Sequence, residues 1–216
     1  MDLKPWRSVF TKDNIQICIL YCCIPAAIFY VISLTVMSQA GFTFVEILRD
    51  PAQQTKTSSF LGFVSSIGSW LWVSAAAISF FAVLTFEAPS PNNHKKLLSL
   101  VGWFSLVLAV DDFFLIHDRF ITEGILIPLY AGFVGYLLVR HRQKIIEIDG
   151  FAFLLAGTFL ALSVVVDAVQ EILPMSYNSS QAFEEGFKFM GGATWLYFCA
   201  RIAAYRRGVL AQTTVN

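Results

Sequence analysis

Of 216 residues, 56% are hydrophobic and only 14% charged, against about 25% charged in an ordinary soluble domain, which argues against a water-soluble globule. Fifteen Lys plus Arg balance fifteen Asp plus Glu, so no basic or acidic field points to a nucleic-acid partner or an acidic one. Cys18, Cys22, Cys23 and Cys199 lie in apolar runs with no CxxC spacing and no neighbouring histidine, and they read as small hydrophobes rather than disulfides or zinc thiolates.

In chain order, residues 1–14 carry Asp2, Lys4, Arg7, Lys12 and Asp13 and form a cytoplasmic N-terminal segment. Apolar runs follow at about 15–38, 59–86, 97–117, 122–139, 151–173 and 181–205. Each reaches or approaches the ~20 residues that cross a ~30 Å hydrocarbon core as a helix. The expected fold is an all-α polytopic bundle of six transmembrane helices, one domain over 15–205, with a cytoplasmic tail at 206–216. No small-residue cleavage site closes the first run, so it is expected to stay as a signal anchor. Small residues such as Gly62, Gly68 and Ala75 in the second run, Gly132 and Gly135 in the fourth, and Gly191 and Gly192 in the sixth predict close helix approach.

Six spans put both termini on one side. Lys4, Arg7, Lys12, Lys95, Lys96, Arg140, Arg142, Lys144, Arg201, Arg206 and Arg207 fall on that side and Arg49, Lys56 and Arg119 on the other. By the positive-inside rule both termini are cytoplasmic, in a cell (inner) membrane. The partner this predicts is membrane lipid.

That orientation collects acids at the outer face. Asp111, Asp112, His117 and Asp118 end the third span, Glu123 opens the fourth, Asp167 and Glu171 close the fifth, and Glu184, Glu185 and Lys188 open the sixth. At ~1.5 Å rise per residue, Asp111, Asp112, Asp167 and Lys188 all fall about 10 Å below the outer boundary. Acids so deep are costly in hydrocarbon and are expected to face a cavity or one another. Helical spacing points His117 away from both aspartates, and Lys188 is expected to pair with Glu184, Glu185 or a facing aspartate. The acidic surplus calls for bound protons or a divalent cation, Fe, Mn, Zn or Ca, with Asp111, Asp112, His117, Asp167 and Glu171 as candidate ligands. Glu184 or Glu185, tuned by Lys188, is the candidate general base. Glu123, Asp118 and the terminal glutamates also fit as surface acids, and His94 and His141 as surface histidines of basic loops.

Glu184-Glu185-Gly186-Phe187-Lys188 has the form EExxK, and Phe113 to His117 has the form FxxxH. Together they resemble pieces of the intramembrane glutamate metalloproteases, the CAAX-processing and PrsW-type enzymes, in reversed order. The resemblance implies that Glu184 or Glu185 activates water and that His117 helps hold a metal. The pattern DDxxxxHD, DxxQE and EExxK also resembles bacterial multi-pass membrane proteins with no assigned reaction. Three functions compete. The first is a metal-dependent hydrolase acting on a lipid or membrane-delivered substrate. The second is a cation- or proton-coupled transporter, against which the acids stop in the outer half. The third is a structural or assembly subunit of a membrane complex.

Overall fold

A computed structural model describes residues 16, 19–49, 51–85, 92–170, 172 and 176–213; the side chains of Tyr21, Cys22, Asn92, Asp118 and 206–213 fall outside that description. Lys4, Arg7, Lys12, Cys18 and Glu171 also lie outside the described residues. Every regular element among those described is helical. The chain divides into two compact units, residues 1–61 and 62–216.

The first unit opens with a π-helical turn, Ile19–Cys23, that runs into α1, Ile24–Gln39. Pro25 occupies the first turn of α1, where its missing N–H costs nothing because those donors have no intrahelical partner. No side chain of α1 is buried, and Phe29 is 74% exposed; α1 is apolar but shorter than the helices long enough to cross a membrane. Two short helices follow, α2 (Phe44–Leu48) and α3 (Pro51–Thr55). Thr43 starts α2 with a reciprocal cap: its backbone N–H donates to Glu46 Oε2 at 2.8 Å and its hydroxyl accepts from the Glu46 N–H at 3.3 Å. The Thr43 backbone bond, then its hydroxyl, holds the Glu46 carboxyl below the usual range.

The second unit holds α4 (Phe63–Leu84), α5 (Asn92–Phe114), α6 (Ile116–Arg119), α7 (Glu123–Val169) and α8 (Tyr177–Thr213). Three of these helices, α4, α5 from Asn93 onward and α7, are long and apolar enough to cross a membrane. At 47 residues, α7 would measure ~70 Å if straight, more than twice the hydrocarbon thickness. It does not run straight. Helical backbone geometry fails at His141 (φ −117°, ψ 17°) and again at Asp149 (φ −168°, ψ 74°). Phe133, Phe104, Trp195 and Phe153 form a chain of ring contacts at 4.8, 5.6 and 5.9 Å, whereas 20 residues of continuous helix would separate Phe133 from Phe153 by ~30 Å. The two arms of α7 therefore fold back on each other. Asp149 starts the second arm as its N-cap, its Oδ1 accepting from the Ala152 N–H at 3.1 Å.

Named contacts give the helix directions. Ser69 meets Asp112 and Phe80 lies against Gly102, so α4 and α5 are antiparallel. Trp72 lies by Gly192 and Ser79 by Cys199, so α4 and α8 are parallel. Gly191 lies on Leu160, and Asp149 on Arg201, so the second arm of α7 is antiparallel to α8. α5 packs against α4, α7 and α8, which makes the third apolar run central, and Asp112 and Ser105 on one face of it both point at α8.

Close packing rests on two glycines. A Cβ at Gly102 would stand 3.0 Å from the Phe80 ring, and one at Gly191 would stand 2.7 Å from the Leu160 side chain and 3.2 Å from the Leu160 nitrogen. Both distances are inside van der Waals contact, so only glycine lets these helices approach so closely. The sequence expectation needs correcting at Gly62, Gly68, Gly132 and Gly135, where a Cβ would meet nothing within 4 Å. Gly132 and Gly135 are exposed, whereas Gly68 lines an open cleft facing α5 and α8. At the centre Trp195 is buried among Phe104, Phe153 and Phe198, and its indole N–H donates to Ser105 Oγ at 2.8 Å. The Ser105 hydroxyl donates in turn to the Val101 carbonyl, so this buried polar group has a partner on each side.

Candidate functional site

Asp111 and Asp112 are neighbours in sequence and both are buried, but adjacent helical residues point ~100° apart. They consequently serve different partners. Asp112 faces the junction of α4 and α8. Its Oδ1 lies 2.9 Å from Lys188 Nζ, and its Oδ2 accepts from the Ser69 hydroxyl at 2.6 Å. Lys188 thus takes the facing aspartate among its expected partners. A carboxylate and an ammonium this deep stabilise each other only when their remaining hydrogen-bonding positions are filled, and Ser69 fills one.

Asp111 turns toward α6 and α7. Its Oδ1 accepts from the His117 backbone N–H at 2.9 Å and lies 3.1 Å from His117 Nδ1, and the Tyr130 hydroxyl interacts with the same carboxylate. The expectation that His117 points away from both aspartates is corrected here. Its cause is a helix break: α5 ends at Phe114 and Leu115 adopts the left-handed conformation (φ 52°, ψ 46°). That conformation costs an L-residue other than glycine roughly 1–2 kcal/mol. The break turns the chain back so that His117 lies under Asp111.

Glu185 and Lys188, three residues apart on α8, line a cleft with Asp112, Ser65, Gly68 and Trp72. The cleft is open on one side and admits about one water molecule. Val64, Leu71 and Phe189 give it apolar walls. Glu184 accepts from Gln181 Nε2 at 2.7 Å and lies within electrostatic reach of Asp167, Glu185 and Lys188. Asp167 accepts from Gln170 Nε2 at 2.8 Å.

The sequence-derived candidates fall into two linked groups. Asp112, Glu185, Lys188, Glu184 and Asp167 connect through the ion pair, the cleft and the Glu184 contacts. Asp111 and His117 form a separate pair with Tyr130. Glu171 and the Asp118 side chain lie outside the described residues. Among the described residues no three His, Cys, Asp or Glu side chains gather as metal ligands. Ser65, Ser69 and Tyr130 were not anticipated. Ser65 and Ser69 are one turn apart with Gly68 between them and read in sequence only as small packing residues.

At the opposite end of the bundle, the Tyr205 hydroxyl donates to Glu147 Oε1, and Lys144 Nζ donates to Glu147 Oε2 at 2.8 Å. The Lys144 bond, then the Tyr205 bond, holds the Glu147 carboxyl below the usual range. The His94 ring lies 6.0 Å from the Tyr205 ring. The segments around 94, 144 and 205 therefore meet, and His94 and His141 are buried rather than on the surface as expected.

Residues 18–202 match the family model described as a domain of unknown function, DUF8692. The chain belongs to this family. The match spans the acidic cleft and the basic end of this DUF8692 member as far as Ile202, short of Tyr205. No curated protein and no solved structure matches the chain.

Proposed function

We propose that this DUF8692 member is a polytopic membrane hydrolase that acts on a lipid or membrane-delivered substrate at the cleft between α4, α5 and α8. The carrying observation is the cleft itself: Glu185, Lys188, Asp112 and Ser65 line a recess that admits about one water between apolar walls. In this reading Glu185 takes a proton from that water as the oxygen adds to the substrate's electrophilic centre, and returns it to the leaving oxygen as the ester bond breaks. Lys188, held by Asp112, stabilises negative charge developing on the substrate. Ser65 orients the water. Beneath the cleft the bundle is filled by Trp72, Phe104, Phe153, Trp195 and Phe198, all buried, which supports a one-sided site over a transport path.

Glu185→Gln keeps the shape and removes the base. Hydrolysis of a panel of acyl-ester and phosphoester lipids by the purified protein should fall about 10²- to 10⁴-fold with an unchanged unfolding midpoint. Undiminished turnover in the variant would remove Glu185 from the mechanism. Proton-coupled cation flux in liposomes without lipid hydrolysis would give the site to a transporter instead.

A divalent cation, Fe, Mn, Zn or Ca, enters this reading at His117. Asp111 at Nδ1 orients the ring as carboxylates behind metal-ligating histidines do; Asp167, the proposed oxygen donor, belongs to the separate Glu184 group, so holding one ion with His117 would require the two groups to draw together. At Asp112 the Lys188 ammonium stands where a cation would bind. Elemental analysis beside Asp167→Ala reads this part separately: stoichiometric metal lost in the variant supports it, and metal-free protein with full turnover removes it.

The proposed topology is six spans with both termini cytoplasmic in a cell membrane. Its support is that the basic segments around 94, 144 and 205 gather at one end and the Asp112–Lys188 pair lies toward the other. Single cysteines at 176–180 should be labelled by an impermeant reagent from outside the cell. Labelling only from the cytoplasmic side would reverse the orientation.

A further inference from the structure

Among the described residues, four cations at the basic end have no carboxylate to answer them. The segments 92–96, 140–149 and 201–205 contain Lys95, Lys96, Arg140, Arg142, Lys144 and Arg201 against Glu147 and Asp149. All four carboxylate oxygens are engaged. Glu147 accepts from Lys144 and Tyr205, and Asp149 pairs with Arg201 at 3.4 Å and accepts from the Ala152 N–H. Lys95, Lys96, Arg140 and Arg142 are left with no carboxylate partner among the described residues, and all four are exposed.

These cations share one region. His141, only 2% exposed, feels both Arg140 and Lys96, which brings the start of α5, with Lys95 next in sequence, to the reversal of α7, with Arg142 next in sequence. Burial, then those two cations, pushes the His141 imidazole below its ordinary value. The neighbouring surface is apolar: Val139 is 83% exposed, Ile146 61% and Phe151 76%. A partner that complements this region must carry negative charge beside hydrocarbon.

We infer that Lys95, Lys96, Arg140 and Arg142 form a binding site for the phosphate headgroup of an anionic membrane lipid, whose acyl chains lie along Val139 and Phe151. A free phosphate would satisfy the cations and leave the apolar flank unused; a lipid satisfies both. The inference rests on the membrane-spanning reading and is independent of any chemistry at the Glu185 cleft. Basic residues at a membrane surface each strengthen attraction to anionic lipid, and the attraction weakens within a Debye length.

The full chain, purified in mild detergent, is offered phosphatidylglycerol and phosphatidylcholine in equal amounts, and the lipid retained per protein is counted by native mass spectrometry. Phosphatidylglycerol should be retained preferentially, and the preference should weaken as salt rises from 0.05 to about 0.5 M. Lys95→Gln with Lys96→Gln, and separately Arg140→Gln with Arg142→Gln, should each lower the preference about tenfold. Arg49→Gln with Lys56→Gln in the first unit should leave it unchanged. Equal retention of the two lipids by the unsubstituted protein overturns the site without reference to any variant's folding. So does displacement of the lipid by millimolar inorganic phosphate, which would make the ligand a soluble anion.

Discussion

Lys188→Met is expected to destabilise the bundle by about 3–5 kcal/mol, the cost of leaving a buried charge without its partner. Asp112 is largely enclosed, with 7% of its side chain exposed, and Lys188 Nζ stands 2.9 Å from it. Ser69 supplies only one hydrogen bond to the orphaned carboxylate, too little to replace an ammonium. Replacing both members, Lys188→Met with Asp112→Leu, should recover most of the loss, because apolar side chains of similar volume often substitute for a buried ion pair without penalty. Reversible unfolding in bicelles, with the four proteins treated as a double-mutant cycle, measures the coupling. A single-variant cost under about 1 kcal/mol, or a double variant that simply adds the two losses, would mean that the pair is not the electrostatic centre of the site.

Trp195→Ala should cost about 3 kcal/mol, the lower end of the range for emptying a buried aromatic site. In a bilayer the transfer contribution shrinks, because lipid tails are as apolar as the core, and packing carries the loss. Trp195 touches Phe104, Phe153 and Phe198 with ring centres 5.6 to 5.9 Å away. These rings come from α5, the second arm of α7 and α8, so the cavity would loosen three elements together. Trp195→Phe keeps most of the ring contacts and loses the indole bond to Ser105. Its cost should be about 1 kcal/mol, because the Ser105 hydroxyl retains the Val101 carbonyl. Equal losses in the two variants would place the energy in the hydrogen bond rather than the packing.

Helical class, the approximate positions of the apolar helices and the enclosure of Asp111 and Asp112 were legible from composition and run length. Each depends on one residue at a time: the transfer cost of a side chain and the rise per residue. The pairing of Lys188 was anticipated as well, since an ammonium within an apolar run must find an acid. Its choice of Asp112 over Glu184 and Glu185, neighbours on its own helix, was not. That choice depends on how far α5 is rotated and slid against α8, a register that the buried Trp195–Ser105 bond shares.

The sequence by itself determined an apolar all-helical chain with acids gathered at the ends of several helices and cations collected in other segments, because hydropathy and charge are properties of the local chain. Tertiary structure alone decided which acids work together. Leu115, a leucine in a left-handed turn that nothing in its composition announces, ends α5 one residue after Phe114 and returns His117 to Asp111. The reversal in α7 between His141 and Asp149 brings Glu147 to Tyr205 across 58 positions of sequence. Contacts of this kind arise from helix breaks and helix rotation, whose energies are shared among many residues and leave no single-residue mark in the chain.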